Sequence, residues 1–181
     1  PKQVREWVKE KGVRNVTLHR LALGSKPERR SLYERSHISR GAASMVKPEQ
    51  DFGQTTVELD TLDHIVEASQ IKTVRMVKMD IEGWELEVLK GAQRLLSQPD
   101  GPILCVESSK LYPVHNGTQA DISDYIRSIN GYVVYKLRKG KKRISTLQRI
   151  DAADDLPEHD NLFCFTQHHH RDIDGALFGC G

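Results

Sequence analysis

The sequence predicts an α/β fold, in which strands at the centre of a sheet alternate with amphipathic helices. Three observations carry that reading. Residues 74–79 form a short, mostly apolar run of the length of a strand inside such a sheet. From Glu85 the period changes: Val88, Leu89, Ala92, Leu95 and Leu96 share one side of a helix, with Leu86 at its flank. Glu87, Lys90 and Arg94 are then expected to point the other way, towards water. Residues 103–106 are a continuous apolar strand behind the chain break at residues 99–102, and Glu107 closes it. Between the first strand and its helix lie Asp80, Glu82 and Gly83, the glycine giving the backbone freedom for a sharp turn. Ligands of open α/β sheets bind at the carboxyl ends of the strands. Asp80, Glu82 and Glu107 therefore stand at the functional edge. The alternative for Asp80 and Glu82 is structural, as carboxylates starting a helix at its positive dipole end.

Taken in order, residues 3–11 place Val4, Trp7 and Val8 at helical spacing, and Gly12 is a natural stop. Residues 16–23 alternate and end in Ala22-Leu23-Gly24, a strand with a glycine turn. Residues 25–56 are polar and weakly periodic, and read as a variable loop or lid. Within them Arg35, His37 and Arg40 either face an anionic or sugar substrate or are solvated charges. Thr61 is an N-cap, with Leu62, Ile65 and Val66 as the apolar side of a short helix. Thr118 and Asp121 have the spacing of a capping box ahead of the stripe Ile122, Tyr125, Ile126 and Ile129. A strand at 132–137, a basic turn at 138–143, an acidic loop at 151–160 and a last strand at 162–166 follow. Residues 167–181 read as an extended tail. Its His168-His169-His170 run is a poor metal site, because adjacent histidines on an extended chain point different ways.

A chain of 181 residues forms one domain with room for a sizeable core. Its net charge of +2 shows no electrostatic footprint for nucleic acid. No apolar run approaches the roughly 20 residues that span a bilayer, and the charged amphipathic start is not a signal peptide. Three cysteines, Cys105, Cys164 and Cys180, have no metal-like spacing; the first two fall in apolar strands as core thiols. A reducing, cytoplasmic setting is the expectation.

The stretch Lys78-Met79-Asp80-Ile81-Glu82-Gly83-Trp84-Glu85-Leu86-Glu87-Val88-Leu89-Lys90-Gly91-Ala92 resembles the K-x-D-x-E-G-x-E-x-x-x-L-x-G-A signature of the FkbM family of S-adenosylmethionine-dependent methyltransferases. Leu59-Asp60-Thr61-Leu62-Asp63, Gly101-Pro102-Ile103-Leu104-Cys105-Val106-Glu107 and Asn161-Leu162-Phe163-Cys164-Phe165 are similar, in order, to that family's helix entry, next strand and final strand. Gly41-Ala42-Ala43-Ser44 is like the small-residue patch before the helix entry. The resemblance implies a Rossmann-like class I methyltransferase sheet, with helices on both faces, strand order 3-2-1-4-5-7-6 and an antiparallel last strand. It implies S-adenosylmethionine as cofactor, with Ala22 or Leu23 by the adenine and Asp80 approaching cofactor and acceptor. Asp80, Glu82 and Glu107 become the catalytic candidates, for acceptor binding, base work or coordination of a divalent metal. The implied acceptor is a hydroxyl on a small molecule or sugar.

The family's glycine-rich turn after the first strand, and the acidic residue ending the second, have no match here. The expectation is a carboxyl-terminal portion of the domain, with the first two strands missing and little cofactor affinity of its own. Two other readings stay open. Asp-Ile-Glu also resembles the carboxylate pair of metal-dependent nucleases and phosphoesterases, although Gly83 leading straight into a helix argues against it. The third is a non-catalytic module on a degenerate methyltransferase fold. Three converging carboxylates also need neutralising, and Lys78, two residues before Asp80, is expected to lie too deep to do it.

Overall fold

The computed structural model describes residues 2–34, 43–48, 53–110, 114–139 and 145–178. Arg35, His37, Arg40, Gly41, Ala42, residues 140–143 of the basic turn and Cys180 lie outside the described residues. The chain runs through α1 (Lys2–Glu10), β1 (Ala22–Leu23), β2 (Glu28–Glu34), β3 (Ala43–Ser44), β4 (Gln54–Asp60), α2 (Leu62–Ala68), β5 (Met76–Met79), α3 (Glu85–Lys90) and α4 (Gln93–Leu96). It continues through β6 (Ile103–Ser109), α5 (Gln119–Ser128), β7 (Val133–Leu137), β8 (Leu147–Arg149), β9 (His159–Phe165) and α6 (Gln167–Asp172).

The fold is mixed α/β with two sheets. The first has the order β1-β4-β2-β3 and the second β5-β6-β9-β7-β8. β5 and β6 are parallel, and β9 runs antiparallel between β6 and β7. The described strands form two sheets rather than one continuous 3-2-1-4-5-7-6 sheet; within the second, β5-β6-β9-β7 with β9 antiparallel follows the expected 4-5-7-6 run, and β5 is the edge strand on the side where the first two strands were expected to be missing. β1 is only two residues long and takes β4 as its parallel neighbour, pairing Ala22 with Leu59 and Leu23 with Asp60.

Residues 25–56 are also not simply a loop. β2 pairs antiparallel with β4 over six positions, from Glu28 opposite Leu59 to Tyr33 opposite Gln54. Charge disguised that strand: Arg29 and Glu58 face each other across the pair as an ion pair at 2.5 Å, in water, while Leu32 packs against the core.

The core lies between the sheets and α3 and α5, around Leu89, Leu104, Val106, Ile122, Ile126 and Leu162, each at most 1% exposed. The two predicted caps form: Thr61 accepts from His64 N at 3.1 Å, and Thr118 and Asp121 close a capping box. The helix expected from residue 85 through 96 is instead split into α3 and α4. Asp63, in the first turn of α2, reaches across and accepts from the main-chain N–H groups of Arg94 and Leu95, both at 2.8 Å. A carboxylate from another helix thus caps α4 and makes a second helix start there.

Glu87 departs from its expected outward position. It is buried, where Ser25 Oγ donates to it at 2.6 Å and Lys90 Nζ at 2.8 Å. Desolvation would raise its pKa, but the hydrogen bonds from Lys90 and Ser25 outweigh that and hold it below the ordinary glutamate value. The tail is helical over α6 rather than extended. Thr166 N donates to His169 Nδ1 at 3.1 Å, and His170 lies 2.8 Å from both Thr166 O and Tyr135 Oη. These imidazoles serve the helix start and its docking. Cys105 and Cys164 are buried free thiols, as their strands predicted. Among the described residues no helix is long and apolar enough to cross a membrane.

Candidate functional site

β5 delivers Asp80 at its carboxyl end, and the chain then turns sharply before α3. Two successive residues take positive φ, Glu82 at 57° and Gly83 at 96°. Glycine does this freely, whereas a glutamate there is uncommon and needs the surroundings to hold it. Ser44 Oγ donates to the Glu82 carbonyl at 2.7 Å, and His115 N to the Gly83 carbonyl at 2.8 Å. The N-cap of α3 is Trp84, so neither Asp80 nor Glu82 occupies the capping position that the structural alternative assigns them.

Glu107 arrives from the neighbouring strand. It lies inside β6, which runs on to Ser109, rather than closing the strand as its sequence position implied. The parallel register pairs Met79 with Val106, so Asp80 and Glu107 stand side by side one step further on. One carboxylate oxygen from each of Asp80, Glu82 and Glu107 lies within 4.8 Å of the other two. Asp80 is exposed and the other two are half-buried.

Three carboxylates this close repel one another unless a positive charge or proton intervenes. Lys78 is better placed than the sequence reading allowed. Its ammonium snorkels to the strand end and donates to the Met79 carbonyl at 3.0 Å, Asn161 Oδ1 at 3.1 Å and Asp80 Oδ2 at 3.3 Å. On the other flank His159 Nε2 stands 3.7 Å from Glu107 Oε1. Lys78 and His159 thus flank the trio with donors, and its all-oxygen donor set also suits a hard divalent cation such as magnesium or manganese.

Beside the trio lies a cavity of about 740 Å³, within the size range of small-molecule sites. Ala22, Leu23, Lys78, Asp80 and Glu82 line it, with apolar walls from Leu62, Ile65, Met79 and Trp84. The candidate cofactor residues Ala22, Leu23 and Asp80 are therefore brought together. Glu107 is not part of that lining; it borders a separate small void with Gly83, Glu85, Ser109 and Val114.

Trp84 ties the two sheets to this turn. It is 3% exposed, donates from Nε1 to the Leu23 carbonyl at 3.1 Å, carries the Arg30 guanidinium over its ring at 4.8 Å and stacks on His115. Burial, reinforced by Arg30, pushes His115 below the ordinary histidine value, against the pull of Glu87 and Glu28. Sequence reasoning assigned no role to Trp84, His115, Asn161 or His159. Trp84 and Asn161 did sit in quoted motifs; His159 is brought in by the antiparallel pairing of β9 with β6, which no local pattern announces. The nuclease-type reading needs the Asp-x-Glu pair to enter an antiparallel hairpin. Here β5 pairs in parallel with β6, and α3 follows.

The fold and this cluster define the class: a mixed α/β domain with three carboxylates gathered where β5 ends beside β6. The model of the methyltransferase FkbM domain family matches residues 6–134, more than half of the chain. The chain belongs to the FkbM methyltransferase family. No curated protein and no solved structure matches it.

Proposed function

We propose that the protein moves a methyl group from S-adenosylmethionine to a hydroxyl on a small molecule or sugar. The observation that carries this reading is the meeting of Ala22, Leu23, Asp80 and Glu82 around one ligand-sized cavity, with Glu107 completing a carboxylate trio at its edge. The apolar walls suit an adenine ring, and the carboxylates suit a cofactor bearing positive charge. Once bound, S-adenosylmethionine would supply an electrophilic methyl group for the acceptor hydroxyl. The chain's tasks are alignment and removal of the hydroxyl proton. Ala22 and Leu23 would hold the nucleoside end, and Asp80 would face both partners. Glu82 and Glu107 accept the proton or hold the acceptor hydroxyl, directly or through a divalent cation that lowers its pKa.

In the natural gene product, S-adenosylmethionine or its demethylated form is expected to raise the unfolding temperature, by a stabilisation of about 2.7 kcal/mol at a hundredfold excess over Kd. No shift at millimolar ligand would remove the cofactor assignment. Magnesium or manganese is expected to stimulate turnover, and a chelator to slow it. Full activity after exhaustive chelation would leave neutralisation of the trio to Lys78, and the carboxylates to direct positioning and base roles.

A further inference from the structure

We propose that Glu85, helped by Ser44 of β3, is a positioning residue: its buried carboxylate holds the Ile81 N–H of the turn after β5 and so fixes where Asp80 and Glu82 present their own carboxylates. Glu85 is 3% exposed, an unusual place for a carboxylate. Ile81 N donates to its Oε1 at 3.1 Å. Burial pushes its pKa up, the nearby main-chain amides of Ile81, Gly83 and Glu85 itself pull it back, and Glu82 adds repulsion.

The same turn is held from its carbonyl side. Ser44, 1% exposed, donates to the Glu82 carbonyl, and His115 N donates to that of Gly83. Donors and acceptors are thus fastened by three groups, Glu85, Ser44 and His115 N, around two left-handed residues, one of which is not glycine. Such a conformation persists only where its surroundings over-determine it.

Glu85 does not touch substrate. It is absent from the lining of the 740 Å³ cavity, and the void it borders is about 10 Å³, barely the space of one water. A helix-dipole role alone does not need burial, since an exposed glutamate at the first turn serves it equally. What burial adds is rigidity at the residues on either side of Asp80 and Glu82. This inference uses the methyl-transfer reading only for its kinetic readout.

The test compares Glu85→Gln with wild type in the natural gene product. Glutamine keeps the size and one acceptor oxygen but turns an amide donor towards the turn's own donors. The expected result is a melting temperature within a few degrees and cofactor KM within about threefold. Main-chain hydrogen exchange should be faster over residues 80–85 but unchanged in β6 and β9, with kcat lower by about ten- to a hundredfold, the scale of a misplaced reacting group. Wild-type exchange over that turn would overturn the proposal, as would wild-type kcat with a loosened turn. If Glu85→Gln does not fold, Ser44→Ala gives the same two readouts from the carbonyl side, and local loosening with wild-type kcat overturns the proposal there too. If wild type itself transfers no methyl group, the proposed function fails, and the exchange result still decides whether Glu85 holds the turn.

Discussion

Asp80→Asn in the natural gene product is expected to lower methyl-transfer turnover by about a hundredfold or more while leaving the thermal midpoint nearly unchanged. Asparagine keeps the shape of the side chain and removes its charge. Asp80 is more than half exposed and its described ion pair, with Lys78 at 3.3 Å, is a surface contact, worth about 0–1 kcal/mol. Little of the fold therefore depends on it. The cluster does depend on it, because Asp80 joins the cavity lining to Glu82 and Glu107. Steady-state kinetics beside a thermal melt separate the two roles. A loss of about 1 kcal/mol with turnover retained would mark a helix-starting carboxylate instead, a position that Trp84 holds in the structure.

What was legible in the sequence was local. The Thr118–Asp121 box, the Thr61 cap and the strand–turn–helix around Asp80 each rest on residues a few positions apart, and each formed. Three of the misreadings share one cause, a partner distant in sequence. Glu87 turns inward because Ser25, 62 residues away, donates to it. α3 and α4 separate because Asp63 supplies the cap from α2. β2 is a strand because β4 pairs with it, despite Glu28, Arg29 and Arg30 giving it no apolar alternation. Within the site, Asp80 and Glu82 share one turn and could be read together. Glu107 joins them through the β5–β6 register and His159 through the β6–β9 register; only the first was reachable, because Glu107 directly follows a continuous apolar strand run.

Gly91→Ala is expected to destabilise the domain by about 3 kcal/mol, at the upper end for overpacking, or roughly 10 °C in midpoint for a chain of this length. The reason is space, not backbone freedom, because Gly91 has an ordinary φ of −80°. A Cβ there would stand 2.0 Å from the Gly24 carbonyl oxygen, 3.0 Å from its carbon and 3.3 Å from Ser25 Cα. All three are main-chain atoms, so no rotamer relieves the clash. Retreat of the Gly24 segment would strain the bond from Gly24 N to Asp60 O at 2.9 Å, which continues the β1–β4 pairing. Retreat of α3 would strain the bond from Asp63 N to the Gly91 carbonyl at 3.0 Å. Either movement opens the cavity wall formed by Leu23 and Trp84, so cofactor affinity should fall with stability. Gly175→Ala is the control, because a Cβ at Gly175 meets nothing within 4 Å. Denaturant unfolding of the two variants should therefore diverge, with Gly175→Ala near wild type. Equal midpoints for both would show that the end of α3 can slide away from β1 at little cost, and that the glycine of the Lys-Gly-Ala segment is not there for close approach.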